Sequence, residues 1–429
     1  MHGWVAICEN LGTVFPMSFA EWQHLGPEAA AAELDRRAGT LLSPGQRSAA
    51  IAALLDRGAL ESAFAASSPG PLRGVPYLLK DLFDAQGLPT RAGSSFLGDI
   101  RPVPPEDSRI VRDLARAGAV LAGKTHLFEF AWGLTGQNAH FGDCEHPHFQ
   151  GRTSGGSSSG SAVVVAAGIV PLAIGTDTGG SVRVPAAFCG IYGYRGVPGD
   201  AWISDAVSLA PSYDTAGWFT RTAADMGSTL DALVGPARPG PAPRGCYLEM
   251  PGLDPDVAQA CRQAALEFTG PADGATAGAL LHAFSPAAEV YGVLAGAESW
   301  KLHRKWSEKY RTRYGPLLLD RLERARAISP AQLAAVEPSH KTIRRAWEDY
   351  FASHDYLVLA AAPCAALPTS ELTHANRLRL MGLTAPASIA GLPALVLPLA
   401  LPSGLSAGLQ VVVRDPMSPA LRWALGARG

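Results

Sequence analysis

Two glycine-rich turns, each joined to an apolar run, constrain the fold of this chain more than any other feature. The first is SGGSSSGSAVVVAAG, residues 154–168, where five serines and four glycines precede a helical apolar pattern. The second is GTDTGGSVRVPAAFCG, residues 175–190, which follows the run VVVAAGIVPLAIG (163–175) without a break. That run reads as a helix ending at Gly168 and then a short buried strand. The same order recurs upstream, where DSRIVRDLARAGAVLAGKT reads as a helix, a glycine stop and a strand. Helices alternating with short buried strands define an α/β chain.

The remaining segments extend this pattern. Residues 18–65, including QRSAAIAALLDRGALESAFAA, carry apolar residues at helical spacing and predict two or three amphipathic helices. Residues 278–352 are helical in pattern, whereas YLVLAAAP (356–363) and PALVLPLAL (393–401) read as buried strands. The low-complexity stretch GPARPGPAPRG, 235–245, is a surface loop or a linker. No internal repeat is evident.

Bulk composition excludes several function classes. Of the 429 residues 47% are hydrophobic and 17% charged, enough to bury a large core. Lys and Arg number 36 against 38 Asp and Glu, so no bulk charge draws the chain to nucleic acid or an anionic membrane. No run reaches the ~18 to 20 apolar residues of a membrane span, and the N-terminus lacks a secretory pattern. Six scattered cysteines show no disulfide framework. These features predict a cytoplasmic protein with reduced thiols.

Candidate chemistry lies in the serines. Gly156-Ser157-Ser158-Ser159-Gly160 matches the Gly-x-Ser-x-Gly nucleophile elbow, but that turn needs a strand before it. CEHPHFQGRT is polar loop sequence, and no downstream histidine has a distinctive setting. Thr178-Gly179-Gly180-Ser181 is different, because glycines let consecutive N–H groups converge on one oxygen beside a serine. A plain glycine turn between strand and helix explains the same residues equally well. A phosphate loop would need a Gly-Lys-Ser/Thr ending, which neither stretch has. With no histidine to serve as base, attention moves to Lys80, flanked by apolar residues in VPYLLKDLF; burial would lower its pKa toward neutrality. A snorkelling or Asp-paired lysine is the competing reading.

Taken together, GVPYLLKDLFDAQGLPTRAGS (74–94), GAVLAGKTHLFEFA (118–131), the 154–195 stretch, APSYDTAGWFTRT (210–222) and TAPASIAGLPALVLPLALPSGLSAGLQVV (384–412) resemble the amidase signature family of serine hydrolases. GQNAHFGD and APSYDTAGWF look most like its indole-3-acetamide hydrolase branch. The resemblance implies one domain over residues 1–429, with a core at 74–222 and a mostly helical substrate-covering region at 246–355. It implies a mixed sheet covered by helices on both faces. It also implies amide hydrolysis through a Ser-Ser-Lys triad: Ser181 as nucleophile, Ser157 as bridging serine behind a cis Gly156–Ser157 peptide, and Lys80 as base. Thr178, Gly179 and Gly180 would form the oxyanion hole, with no metal or organic cofactor. The expected partner is a small-molecule amide, and the expected state a monomer or homodimer.

Relatives place acyl-pocket residues where this chain has EFAWGLTGQ, so Ala131 and the bulky Trp132 and Leu134 predict an apolar or aromatic acyl group. After CGIYGYR the chain continues Gly196-Val197-Pro198-Gly199-Asp200, where most relatives have proline and then serine or threonine. Cys144, His146 and His148 lack a fourth zinc ligand at a usual spacing, and Cys189 reads as a small core residue. Lys124 competes with Lys80 from a less apolar setting. Asp177 and Arg183 are expected to order the loop around Ser181. Two alternatives stay open: a non-catalytic amidase-like binding module, and the glutaminase subunit of a transamidation complex.

Overall fold

A computed structural model describes residues 16–427; the sequence readings that fall on residues 1–15, Cys8 included, lie outside the described residues. The short apolar runs pair into one mixed sheet whose strands lie in the order β1-β3-β2-β4-β6-β5-β10-β11-β9-β7-β8. They are β1 (Ile51–Leu54), β2 (Pro76–Lys80), β3 (Val120–Thr125), β4 (Leu172–Thr176), β5 (Tyr192–Arg195), β6 (Ala216–Thr220), β7 (Gly245–Tyr247), β8 (Gly270–Pro271), β9 (Tyr356–Ala360), β10 (Ala394–Ala400) and β11 (Ser406–Val413). β2 runs parallel to both β3 and β4, and β7 to both β8 and β9; the other pairings are antiparallel. Every residue of β2, β4, β6, β9 and β11 is buried. Such strands need cover on both faces, which is why they read as unbroken apolar runs rather than alternating ones.

Helices supply that cover. The helix α1 (Ser159–Ala166) packs on β2, β4 and β6, and α2 (Arg183–Cys189) packs on β5, β10 and β11. A second group comprises α3 (Ala287–Lys309), α4 (Pro316–Arg326), α5 (Pro330–Tyr350) and α6 (His374–Ile389), with α3 against the other three. Their starts follow local chemistry: Ser329 and Gln332 form a capping box ahead of α5, and the Thr373 hydroxyl accepts the Asn376 N–H at the start of α6. The predicted helical span 278–352 is therefore observed, with Gly274–Phe284 as a further helix. Residues 236–244 form an exposed connection between the helix Ala223–Leu233 and β7.

The N-terminal segment departs from its predicted pattern. QRSAAIAALLDRGALESAFAA is not continuous helix: Pro44–Ala50 is helical, Ile51–Leu54 is strand β1, and Arg57–Ala65 is helical again. Backbone pairing of Ile51 with Thr125 and of Leu54 with Gly123 outweighs the alanine preference for helix. Asp56 then restarts the helix, its Oδ1 accepting the Ala59 N–H at 2.9 Å.

The serine-rich turn is explained by packing on every side. α1 is buried at all eight positions. The Ser161 hydroxyl makes within the protein the polar contacts that water would otherwise supply. Ser161 Oγ donates to Ile174 O at 2.8 Å and lies 2.8 Å from Thr125 Oγ1, tying α1 to β4 and β3. Ser154 Oγ donates to Cys144 O at 2.6 Å. Gly160 is small for a different reason, since a Cβ there would sit 2.3 Å from Ala50 O and 2.7 Å from His126 O. Helix propensity alone favours Gly160→Ala by ~1 kcal/mol. Backbone oxygens cannot move aside as side chains can, so the substitution is expected to destabilise the fold by ~1–3 kcal/mol. A urea midpoint higher than wild type would refute this.

Candidate active site

The neighbouring parallel strands β2 and β4 end at Lys80 and Thr176, so two chemically active positions fall at their carboxyl edge. Crevices at the carboxyl ends of parallel strands are where α/β sheets bind ligands. Lys80 is fully buried. Its Nζ lies 2.8 Å from Ser157 Oγ, 2.8 Å from Ser158 Oγ and 2.7 Å from Thr176 Oγ1. Burial pushes this lysine well below its ordinary pKa, and the nearby Asp177 and Asp214 offset only part of that effect.

Proton counting then limits the three hydroxyls. Ser158 Oγ donates to Thr176 O at 3.0 Å and accepts the Thr176 N–H at 3.2 Å. Its single hydrogen is committed, so toward Lys80 it is an acceptor. A neutral amine has two N–H groups and one lone pair. With Ser158 accepting one N–H, the second N–H and the lone pair are left for the Ser157 and Thr176 hydroxyls. The Gly156–Ser157 peptide is cis, as the family resemblance implied. The elbow match at Ser158 thus belongs to a hydroxyl that orients the lysine. Sequence reasoning missed this role and Thr176; the available signal is a polar residue ending the apolar run LAIGT just before DTGGS.

Ser181 arrives on the loop between β4 and α2, and its carbonyl accepts the Ser158 N–H at 3.3 Å. No hydrogen bond joins Ser181 Oγ to Ser157 Oγ among the described residues; such contacts commonly tighten only in the reacting complex. The loop is wrapped around Asp177. Its carboxylate accepts N–H groups from Gly180 (2.7 Å), Val182 (3.1 Å) and Arg183 (3.2 Å), and it pairs at 2.9 Å with both Arg183 Nη2 and Arg195 Nη1. Burial alone would raise the Asp177 pKa, but the two guanidiniums hold it far below the carboxylate range. The expected ordering role of Asp177 and Arg183 therefore has a geometric basis, and Arg195 adds to it.

One expected oxyanion donor is corrected here. The Gly180 N–H is taken by Asp177 Oδ1, whereas those of Thr178, Gly179 and Ser181 have no protein acceptor among the described residues. The carbonyls on the other side of these peptides are held: Arg195 Nη1 and Thr215 Oγ1 donate to Asp177 O, Arg195 Nη1 also lies 3.4 Å from Thr178 O, and the Val184 N–H donates to Gly180 O at 2.8 Å; Thr384 Oγ1 holds the neighbouring Gly179 O at 2.6 Å. Space is equally tight, for a Cβ on Gly179 would sit 2.7 Å from the Tyr291 hydroxyl and one on Gly180 2.8 Å from Thr384 Oγ1.

A cavity of about 610 Å³ is bounded by α3, α4 and α6; its wall includes none of residues 177–181. Trp132 and Leu134, the residues expected at an acyl pocket, are part of its wall. Ala131 does not; it is buried in a turn with Phe130, both in the left-handed region, φ 59° and 48°. Lys124 is committed elsewhere, paired with Asp81 at 2.5 Å and donating to Pro89 O and Thr90 Oγ1. His146 and His148 each place Nε2 against a backbone carbonyl, of Phe188 and Ala166, and no metal-binding cluster is present among the described residues. Cys189 is buried with its Sγ 3.4 Å from Ser154 O. The 196–200 loop packs Pro198 against Gly391 and lies outside the cavity wall.

Comparison with known proteins places the chain in a family. Residues 45–264 match the family described as Amidase. The chain is 33% identical over 416 residues to an indoleacetamide hydrolase of Pseudomonas savastanoi, covering 88% of this chain and 89% of that protein. This chain belongs to the amidase signature family. It is also 32% identical over 394 residues to one of the subunits of the glutamyl-tRNA(Gln) amidotransferase of Chloroflexus aurantiacus, covering 81% and 80% of the two chains. A crystal structure of an amidase superposes with a TM-score of 0.83 at 30% identity, covering 96% of this chain and all of the other. As an amidase signature hydrolase the protein acts on amide C–N bonds.

Asp177 gives this amidase a measurable signature. Asp177→Asn leaves two buried guanidiniums without a carboxylate and is expected to cost ~3–5 kcal/mol in chemical denaturation. Because the folded carboxyl has a lowered pKa, the wild-type advantage is full above the unfolded value of ~3.9 and shrinks as pH falls below it. An advantage that grew on acidification would contradict the assignment.

Proposed function

We propose that this amidase cleaves its substrate through an acyl-enzyme on Ser181, with Ser157 as proton relay and Lys80 as base. The observation carrying the reading is the surroundings of Lys80: a fully buried amine, its pKa pushed down by burial, with Nζ 2.8 Å from the Ser157 hydroxyl. Ser157 passes its proton to Lys80 as it accepts the Ser181 proton. Ser181 Oγ then attacks the amide carbonyl, and the N–H groups of Thr178, Gly179 and Ser181 receive the developing oxyanion. The proton returns from Lys80 through Ser157 to the leaving nitrogen, amine or ammonia departs, and water cleaves the ester by the same relay in reverse. Held carbonyls behind the donor peptides mean that little reorientation accompanies charge development. Esters fit the same site because their leaving groups depart more readily. The continuous sheet, joining residues 51–54 to 406–413, supports reading the chain as one domain.

Two measurements test this mechanism. Ser181→Ala is expected to lose both amide hydrolysis and labelling by a fluorophosphonate, while Ser157→Ala loses ~10²–10⁴-fold in kcat as a missing proton relay would. Full labelling of Ser181→Ala would remove that residue from the nucleophile role. Separately, kcat/KM is expected to fall on the acid side as Lys80 gains its proton, with a midpoint below the ~10.4 of a free lysine. A rate still climbing through pH 10 would show that the base is an ordinary exposed lysine.

A further inference from the structure

Three arginines line the cavity between α3, α4 and α6, and only one of them has an acidic partner among the described residues. Arg324 pairs with Asp320 at 2.8 Å. Arg321 stacks its guanidinium on the Phe128 ring, 4.6 Å from the centroid, and meets no carboxylate among the described residues. Arg377 is likewise unpaired there. Arg321 Nη1 and Arg377 Nε are both shielded from solvent and have no hydrogen-bond partner. Two like charges sharing a wall, each with an N–H facing no acceptor, repel one another and forfeit hydration. An anion between them would relieve both costs.

Two helices of the cavity wall also touch the Ser181 loop. Arg377, Leu380 and Thr384 lie on one face of α6, at spacings of three and four, and Thr384 holds Gly179 O. Seven residues of helix separate Arg377 from Thr384, roughly 10 Å. On α3, Ala288 and Gly292 line the cavity while Tyr291 packs on Gly179. A molecule with its amide at Ser181 and its far end at the arginines would run along these helices, past Trp132 and Leu134. Charge selects the anion: Arg321, Arg324 and Arg377 against Glu289 and Asp320 leave the wall at net +1 (3 − 2), which a monoanion neutralises. Planar guanidinium forks match a carboxylate in two parallel bonds.

We propose that the substrate carries a carboxylate at the end remote from the scissile amide, and that Arg321 and Arg377 bind it. This rests on the amidase reading of Ser181 and narrows its substrate class. The apolar wall then contacts the connecting chain, so an apolar pocket and a charged terminus belong to one molecule.

The test compares ω-amides of four- to eight-carbon dicarboxylic acids with neutral alkyl amides of equal length. Wild type is expected to favour the carboxylated series. Arg377→Gln is expected to lower kcat/KM for that series by roughly 10- to 100-fold, the worth of a charge-assisted hydrogen bond, and to change neutral amides less than about threefold. Arg377→Lys should recover part of the loss, and Arg321→Gln serves as a second variant if it folds. As a binding readout, the free dicarboxylates should slow fluorophosphonate labelling of Ser181 in wild type and not in Arg377→Gln. Equal losses in both series, or no slowing of labelling, would overturn the inference while leaving Ser181 as nucleophile. Loss of labelling at Ser181 itself would instead point to failure of the underlying mechanism.

Discussion

One buried carboxylate organises the catalytic end of this fold. Asp177 receives three backbone N–H groups and two guanidiniums, and those arginines reach outward to other elements. Arg183 continues to Thr384 O, Ser388 Oγ and Gln410 Oε1, joining the loop to α6 and β11. Arg195 comes from β5 and also donates to Leu392 O. A flexible run of glycines is thereby fixed from several directions. Such a loop gains from glycine twice, because its backbone can approach Tyr291 and Thr384 closely and its peptides can turn their N–H groups to one side. The neighbouring lysine is governed by the same cluster at a distance, since Asp177 and Asp214 resist the neutralisation that burial imposes on it.

Much of this is legible in the sequence because it is local. The glycine loops, the strand ends and the apolar setting of Lys80 are contiguous in the chain, and local patterns report turns and burial directly. Contacts made across long separations are not legible. Thr176 as a partner of Lys80 depends on strand register, and Arg195 as a partner of Asp177 depends on β5 lying next to β6. Gly180 is misassigned from sequence for the same reason: whether its N–H faces a substrate or a side chain is set by where the Asp177 carboxylate turns. Strand β1 reads as helix because alanine and leucine satisfy either pattern, and only its pairing with β3 decides.

The serine-rich turn shows how one composition serves several tasks. Ser154, Ser157, Ser158 and Ser161 lie within eight positions, yet Ser154, Ser158 and Ser161 donate to three different carbonyls, and Ser157 and Ser158 share Lys80 Nζ. In a buried segment a serine costs little volume and meets a nearby carbonyl, so a run of them builds a polar seam inside an apolar layer. Within that seam, Ser158 is fixed in donor direction while Ser157 is not. In the proposed mechanism that distinction separates a hydroxyl that holds the base from one that carries its proton.

The outer strands of the sheet carry a consequence of another kind. A broad open sheet exposes unpaired backbone at both margins, where a second molecule could add a strand. Here one margin is β8, two residues long and ending in Pro271, which has no N–H to offer. The other is β1, four residues long with a register break between Ile51 and Ala53. Neither gives a template of useful length, so the sheet is closed to propagation from chain to chain without being curled into a barrel.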